Sequence, residues 1–258
     1  MIVVAGEALI DLVPQGPGAL APLRPARGGG PYNTAVALAR LGSRTAFCSR
    51  YTFHVEGTAD RLFTTPTTLP KDTLAVSFGT CSLVLEPGAS AYEELLHHSA
   101  AQGLFTALDP NIRPGLIPDP DAYRARFRTW LPSVTLLKLS QEDATWLGGT
   151  PQEWLAAGPS AVVITQGADG LTAFTRDGGV HVMPGEKVDV VDTIGAGDTV
   201  NAALLHGLSL SDALSVRALE AMTPAEWQTL LRFAAHAAAI TCSRAGAEPP
   251  YLAELGTL

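Results

Sequence analysis

A three-layer, doubly wound, mainly parallel α/β sheet is the fold the sequence predicts, and three observations predict it. Short continuous apolar runs alternate with stretches of helical periodicity, the order that buried parallel strands and crossover helices leave in a chain. Each apolar run is followed by glycine, proline or a polar residue before the next helical pattern begins. The 258 residues are 47% hydrophobic and only 16% charged, which provides a sizeable core and excludes a disordered or collagen-like chain.

The elements follow in order. Ile2–Ala5 reads as the first buried strand. Residues 7–27, rich in proline, glycine and leucine, suit extended edge structure or a small appended sheet. Tyr32, Val36, Leu38 and Ala39 recur at helical spacing, so 31–41 is a helix, with Gly42 placed to cap its end. Residues 50–70, with threonines, prolines and Tyr51-Thr52-Phe53, again suit edge or appended strands. Buried strands are expected at 74–78, Phe105–Asp109, 134–138 and Ala161–Thr165. Helices are expected at 121–130 and Gln141–Leu147, and long alanine- and leucine-rich ones at 199–208 and 224–240. No internal repeat or low-complexity tract interrupts this order.

Acidic residues outnumber basic ones 25 to 17, a net charge of −8, so nucleic acid and anionic membrane would be repelled on average. Three distant cysteines without a C-x-x-C support neither a disulfide scaffold nor a zinc ribbon. The start lacks a basic region, and no uncharged apolar run approaches the roughly 18 residues of a membrane span. The expectation is a soluble protein of a reducing cytoplasm.

The strongest local signal is Asp192-Thr193-Ile194-Gly195-Ala196-Gly197-Asp198-Thr199, leading into a helix of small residues. Glycines ahead of a helix let backbone N–H groups and the helix dipole converge on an anion, phosphate being the obvious one. Asp198, beside that cradle, is placed to take a proton, and an anion cradle next to a general base is what phosphoryl transfer to a hydroxyl needs. A glycine-rich turn with Asp198 as an ordinary helix-start residue explains the same letters. Gly28-Gly29-Gly30-Pro31-Tyr32-Asn33 opens the earlier helix, where Asn33 suits sugar hydroxyls, or is a plain first-turn residue. Asp109-Pro110-Asn111-Ile112-Arg113 lies past a strand end, where open α/β sheets hold ligands. There Arg113 would clamp a phosphate and Asn111 orient it or a metal-bound water, unless both belong to a solvated turn. Thr165-Gln166-Gly167-Ala168-Asp169-Gly170 is a turn on which a nucleotide could lie, and a hairpin turn fits it almost as well. The acids of Ser140-Gln141-Glu142-Asp143 are accounted for by helix capping. The chain has no P-loop motif, dinucleotide G-x-G-x-x-G, H-E-x-x-H or G-x-S-x-G, so those enzyme classes lose ground.

Taken together and in this order, these motifs resemble the ribokinase-like carbohydrate kinases of the phosphofructokinase-B type. The likeness includes Gly6-Glu7 with Asp11, Gly28 to Asn33, Asp109-x-Asn111-x-Arg113, Thr165-x-Gly167, the segment 192–198, and Arg244-Ala245-Gly246-Ala247. It spans nearly the whole chain. It implies one ribokinase-like kinase domain over residues 1–258, with a small, incomplete-looking β lid at about 11–27 and 50–62. It implies transfer of the γ-phosphoryl group of ATP to a primary hydroxyl of a sugar, with Mg²⁺ and often a monovalent cation such as K⁺. On this likeness Asp198 is the base, and the N–H groups of Gly195, Ala196 and Gly197 form the anion hole. Asp11, Gly28, Gly29 and Asn33 bind sugar, Thr165, Gly167, Gly170 and Asn111 line the nucleotide site, and Asp143 helps hold Mg²⁺ through water. Asp192, Ile194 and Gly246 fall where relatives bind the monovalent ion. The pattern at 28–33, Gly57 to Asp60 and 108–114 looks most like bacterial fructokinases. Ribokinase, 2-keto-3-deoxygluconate kinase and a catalytically silent sugar- or nucleotide-binding relative are the alternatives. Relatives carry a further helix and strands after the strand ending near Phe47, and that stretch is missing at Ser49-Arg50-Tyr51-Thr52. A chain naturally short there and a sequence lacking part of its lid both explain this, and the second is preferred because lids are low-stability elements. In relatives the lid also serves as a dimer clasp, which implies a homodimer through it. Ser140 stands where many relatives have Asn.

Overall fold

The computed structural model describes residues 1–14, 22–49 and 63–256. In chain order the elements are β1 (Ile2–Ala5), β2 (Leu9–Pro14), β3 (Leu23–Gly28), α1 (Gly30–Arg40), β4 (Thr45–Cys48), β5 (Ala75–Gly79), α2 (Gly88–Ala101) and β6 (Phe105–Asp109). Then come α3 (Pro120–Trp130), β7 (Leu136–Ser140), α4 (Gln141–Leu147), α5 (Pro151–Ala157), β8 (Ala161–Thr165), β9 (Leu171–Thr175) and β10 (Val180–Met183). The chain ends with α6 (Ala196–Leu210), α7 (Val216–Glu220), α8 (Pro224–Cys242) and α9 (Leu252–Leu255).

Eight strands form one sheet in the order β10-β9-β8-β7-β6-β5-β1-β4. It is parallel from β4 to β8, and β9 and β10 are added antiparallel at the edge. Because successive strand side chains point to opposite faces, each apolar strand supplies both covering layers. Ile2, Val4, Ala75, Phe105, Ala107, Leu136, Ala161 and Val163 join the cluster built with α1, α6 and α8. Val3, Val76, Leu108, Leu137, Leu139, Val162 and Ile164 join the cluster built with α2 to α5. That double burial is why the strands read as unbroken apolar runs.

Reciprocal capping boxes start α4 (Ser140 with Asp143), α5 (Thr150 with Glu153) and α8 (Thr223 with Glu226). Gly42, at φ +86°, follows α1, and its N–H bonds the Ala39 carbonyl at 3.0 Å. The appended sheet expected within 7–27 is the antiparallel pair β2–β3, with Leu9 opposite Gly28 and Asp11 opposite Ala26. The second lid segment, about 50–62, lies outside the described residues, as do 15–21.

Several boundaries differ from the sequence reading, α1 and α3 by a single residue. The strand expected at 134–138 is β7, two residues later, because Pro132 sits in a 3-10 turn over Leu131–Ser133. That at 74–78 is β5, one residue later. The helix expected at 199–208 begins at Ala196, so Gly197 and Asp198 lie inside its first turn. The last long helix continues to Cys242. α2, whose buried Ala89, Tyr92, Leu95, Leu96 and Ser99 recur at helical spacing, α5 and the β9–β10 hairpin are not in the sequence reading.

Candidate active site

The strand ends place the site. On the sheet face turned toward α1 and α6, the alternation that buries Ala75, Ala107 and Leu136 also brings Ser77 and Gly79 of β5, Asp109 of β6 and Lys138 of β7 to that side. Gly79 and Asp109 are direct neighbours in register. A Cβ at Gly79 would come 2.2 Å from the Asp109 carbonyl oxygen, so glycine is required for this approach. The N-termini of α1 and α6 descend onto the same row.

Gly195 caps α6 in the left-handed region at φ +78°, and a Cβ there would meet that of Ala247 at 2.7 Å. Its backbone turn puts Asp198 at the third helical position. Residues 195–197 are half-buried, leaving the first turn partly open to solvent, and the Ala196 N–H is drawn to the Thr193 carbonyl at 3.3 Å. Asp198 itself is 8% exposed. Asn33, from the first turn of α1, donates its Nδ2 to Asp198 Oδ2 at 2.9 Å, and Thr34 donates its hydroxyl to the Asp198 carbonyl at 3.4 Å. Burial pushes the Asp198 carboxyl up to about 6. The Asn33 bond opposes that rise, the Asp109 charge adds to it, and Lys138 and Arg113 oppose it.

Asp109, 6% exposed, accepts a hydrogen bond from Lys138 Nζ at 2.7 Å. Burial raises its carboxyl, with Lys138 the main opposing influence. Lys138 is the residue sequence reading missed. Its signal was a lysine inside the otherwise apolar Leu136–Ser140 strand, where an unpaired ammonium would not be tolerated.

The turn after β6 is held from below. Asp143 Oδ1 accepts from the Ile112 N–H at 2.8 Å, and Oδ2 accepts from the Ser140 N–H at 3.2 Å. The capping reading of Asp143 is therefore correct as far as it goes, and the same carboxylate also fastens the 109–113 turn. Asn111 takes φ +42°, and Arg113 folds back to donate Nη1 to Asn111 Oδ1 at 2.7 Å.

The remaining residues divide in three groups. Asp192 Oδ1 and Oδ2 accept from the N–H groups of Ile194 (3.0 Å) and Gly246 (2.9 Å), which hold its carboxyl below the usual range and bring these three positions together. Gly29, at φ +102°, would carry a Cβ only 2.8 Å from the Glu7 carbonyl oxygen, so the β3–α1 junction lies directly on the chain leaving β1. Glu7 is in turn bound to the Ser82 N–H and hydroxyl. Gly28 is buried opposite Leu9, and the side chain of Asp11 lies outside the described residues. Thr165 ends β8, and the Gly167–Asp169 turn follows. A Cβ at Gly170 would lie 2.1 Å from the Met183 carbonyl oxygen, so packing alone explains that glycine.

A buried carboxylate at a helix N-terminus, oriented by an amide from a second helix, can take a proton from a hydroxyl next to backbone groups that favour negative charge. Comparison with known proteins agrees with this chemistry. Residues 62–253 match the profile described as pfkB family carbohydrate kinase. The fructokinase of Rhizobium leguminosarum bv. trifolii is 36% identical over 273 aligned positions, covering 84% of this chain and 82% of the relative. Those positions outnumber the 258 residues here, so the relative carries residues with no counterpart in this sequence. The Klebsiella pneumoniae fructokinase is 30% identical, with 80% and 83% covered. In fold, the chain is similar to Xylella fastidiosa fructokinase with bound ATP, with a TM-score of 0.83, 24% identity, and 98% and 96% of the two chains covered. It is similar also to aminoimidazole riboside kinase from Salmonella enterica, complexed with its riboside and an ATP analogue (TM-score 0.82, 22% identity, 98% of each chain). A glycine-led helix that buries an aspartate beside an asparagine, on this sheet and in this motif order, thus belongs with the matched profile: the chain is a member of the pfkB family of carbohydrate kinases.

Proposed function

We propose that this sugar kinase transfers the γ-phosphoryl group of ATP to a primary hydroxyl of fructose. Support for fructose comes from the relatives, named fructokinases in two bacteria at 36% and 30% identity. Support for ATP comes from the X. fastidiosa structure, which holds it, and from a Vibrio cholerae fructokinase described with fructose, ADP and a potassium ion.

The observation that carries the reading is Asp198, buried and fixed by Asn33 at the mouth of α6. With its carboxyl at about 6, roughly nine-tenths of it is ionised at pH 7, yet it holds a proton far better than an ordinary aspartate. It takes the hydroxyl proton as the sugar oxygen bonds to the γ-phosphorus and the bond from that phosphorus to the leaving ADP oxygen breaks. The N–H groups of Gly195 and Gly197 and, once it leaves the Thr193 carbonyl, that of Ala196 would meet, with the dipole of α6, the charge that builds on the transferring group. Arg113, released from Asn111, is within the electrostatic reach of Asp198 and adds positive charge. Asn33, Gly28, Gly29 and Asp11 line the sugar side, and Thr165, Gly167, Gly170 and Asn111 the nucleotide side.

Mg²⁺ fits this donor set. Asp109 and Asp143 offer hard carboxylate oxygens beside the turn, and Asp109 Oδ1 is buried with no partner among the described residues. Held there, the ion would partly neutralise the charge of the nucleotide phosphates, with Asp143 reaching it through water. Among the described residues no three His, Cys, Asp or Glu side chains converge, so phosphate and water would complete the shell. Asp192, Ile194 and Gly246 are proposed to border a monovalent cation, and the β2–β3 sheet a dimer contact.

The test is a panel of fructose, ribose and 2-keto-3-deoxygluconate with ATP, reading ADP release. Fructose should give the highest kcat/KM, and D198N should lower kcat by roughly 10²–10⁴-fold while ATP binding persists. Sugar and ATP binding without ADP release would favour the silent relative instead.

A further inference from the structure

Arg40 ends α1 with its guanidinium spread over three residues of the segment that follows α8. Its Nη1 donates to the Pro249 carbonyl at 2.6 Å, its Nη2 to Glu248 Oε2 at 2.7 Å, and its Cζ lies 4.9 Å from the centre of the Tyr251 ring. The ion pair with Glu248 alone would count for little, since that carboxylate is half exposed. The bond to a main-chain carbonyl and the cover on the ring hold the backbone of residues 248–251 in one place, and a planar fork makes both where a lysine ammonium could not. Pro249 and Pro250, both buried, stiffen the same stretch.

The other side of this segment carries the turn that opens α6. The Cys242 carbonyl accepts from the N–H groups of Val191 (2.8 Å) and Asp192 (3.2 Å), Gly246 donates its N–H to Asp192 Oδ2 at 2.9 Å, and Ala247 packs directly against Gly195. Asn33 and Arg40 lie about two turns apart on one face of α1. One end of that face holds Asp198, and the other holds the segment on which the Gly195 turn rests. The contacts thus close a ring, from α1 through 246–251 to the Gly195 turn, along to Asp198 and back through Asn33.

We propose that Arg40 is a positioning residue for phosphoryl transfer: it fixes the 246–251 segment and thereby the 192–197 turn whose N–H groups meet the transferring group. This rests on the kinase reading of that turn. Arg40 stands at the opposite end of α1 from Asn33, so it acts through the chain and not on substrate. Its loss lowers the rate of the chemical step and leaves substrate binding as it is.

The test compares R40M and R40K with the unaltered enzyme, well below the lowest melting temperature of the three. R40M should lower kcat for fructose phosphorylation by roughly 5–20-fold, with KM for fructose and for ATP within about twofold. Hydrogen exchange at the Ile194 and Gly246 amides, both bonded to Asp192, should rise at least about tenfold. R40K, which keeps the charge without the fork, should fall between. A lowered melting temperature with kcat unchanged, a raised KM with kcat unchanged, or unchanged exchange at these two amides would mean a purely structural residue and overturn the proposal. If R40M does not fold, R40K decides it: a lower kcat with faster exchange at the same amides supports the role, and an unchanged kcat overturns it. Absence of any ATP-dependent phosphorylation by the unaltered enzyme would instead overturn the kinase reading, while the exchange comparison would still show whether Arg40 holds the turn.

Discussion

Replacing Asp198 with asparagine should make this protein more stable at neutral pH while it disables it. The folded carboxyl sits at about 6 against an ordinary 3.8, chiefly because burial disfavours the charged form. Folding therefore strengthens proton binding, and between about pH 4 and pH 6 the folded state holds more protons than the unfolded one. Stability contributed by this group is present at low pH and is lost as pH rises through that interval. Above it, the ionised carboxylate costs about 3 kcal/mol, at about 1.36 kcal/mol for each tenfold change in proton affinity. Asparagine keeps the shape and can still accept from Asn33 Nδ2, so D198N removes most of that cost. Urea unfolding of both proteins from pH 4 to pH 8 is the assay. D198N should exceed the unaltered protein by about 1–3 kcal/mol at pH 8, with the gap closing toward pH 4. A D198N protein less stable at every pH, or a gap that does not change with pH, would refute the claim that Asp198 is held against its preference.

Three further outcomes follow from the same geometry. G195A should lose about 1–2 kcal/mol for the left-handed backbone alone, plus the overlap with Ala247, and thermal melting should show it together with a fall in kcat. D143N, with one acceptor oxygen where the carboxylate has two, should cost about 1–2 kcal/mol and raise hydrogen exchange at the Ile112 amide. D192N should be destabilised at neutral pH, and because the Asp192 carboxyl is held low in the fold, the deficit should vanish only as acid protonates it, which a pH series of melting temperatures reads.

Much of the fold was legible because the central strands are buried on both faces and the crossovers are amphipathic. Ile2–Ala5 and Phe105–Asp109 are buried at every residue, and Ala161–Thr165 at every residue but its last. The hairpin β9–β10 was not legible, because Val180 and Val182 stay exposed while His181 is buried against Trp227, so the alternation looks like surface. Asp198, Asn33 and Asp109 were legible as glycine- or proline-marked positions at element ends. What the sequence withheld was their assembly: Asn33 and Asp198 are 165 residues apart, and nothing local joins them. Lys138 was hidden for the opposite reason, since a charged residue within an apolar run looks like an interruption until the neighbouring strand supplies its partner.

The burial that costs stability and the chemistry that needs it have one cause. Asp198 lies inside the first turn of α6 because Gly195 alone can turn the chain there, and α1 closes over it because Gly29 lets its start descend onto the Glu7 backbone. Both contacts remove water from the carboxylate, which raises its proton affinity, as the proposed base role requires. The same exclusion would leave a buried charge unsupported without the Asn33 amide and the positive charges of Lys138 and Arg113. Changes at Asp198 or its neighbours should therefore stabilise the chain or shift the proposed base out of its working range, and no substitution at Asp198, Asn33 or Lys138 is expected to improve both stability and turnover.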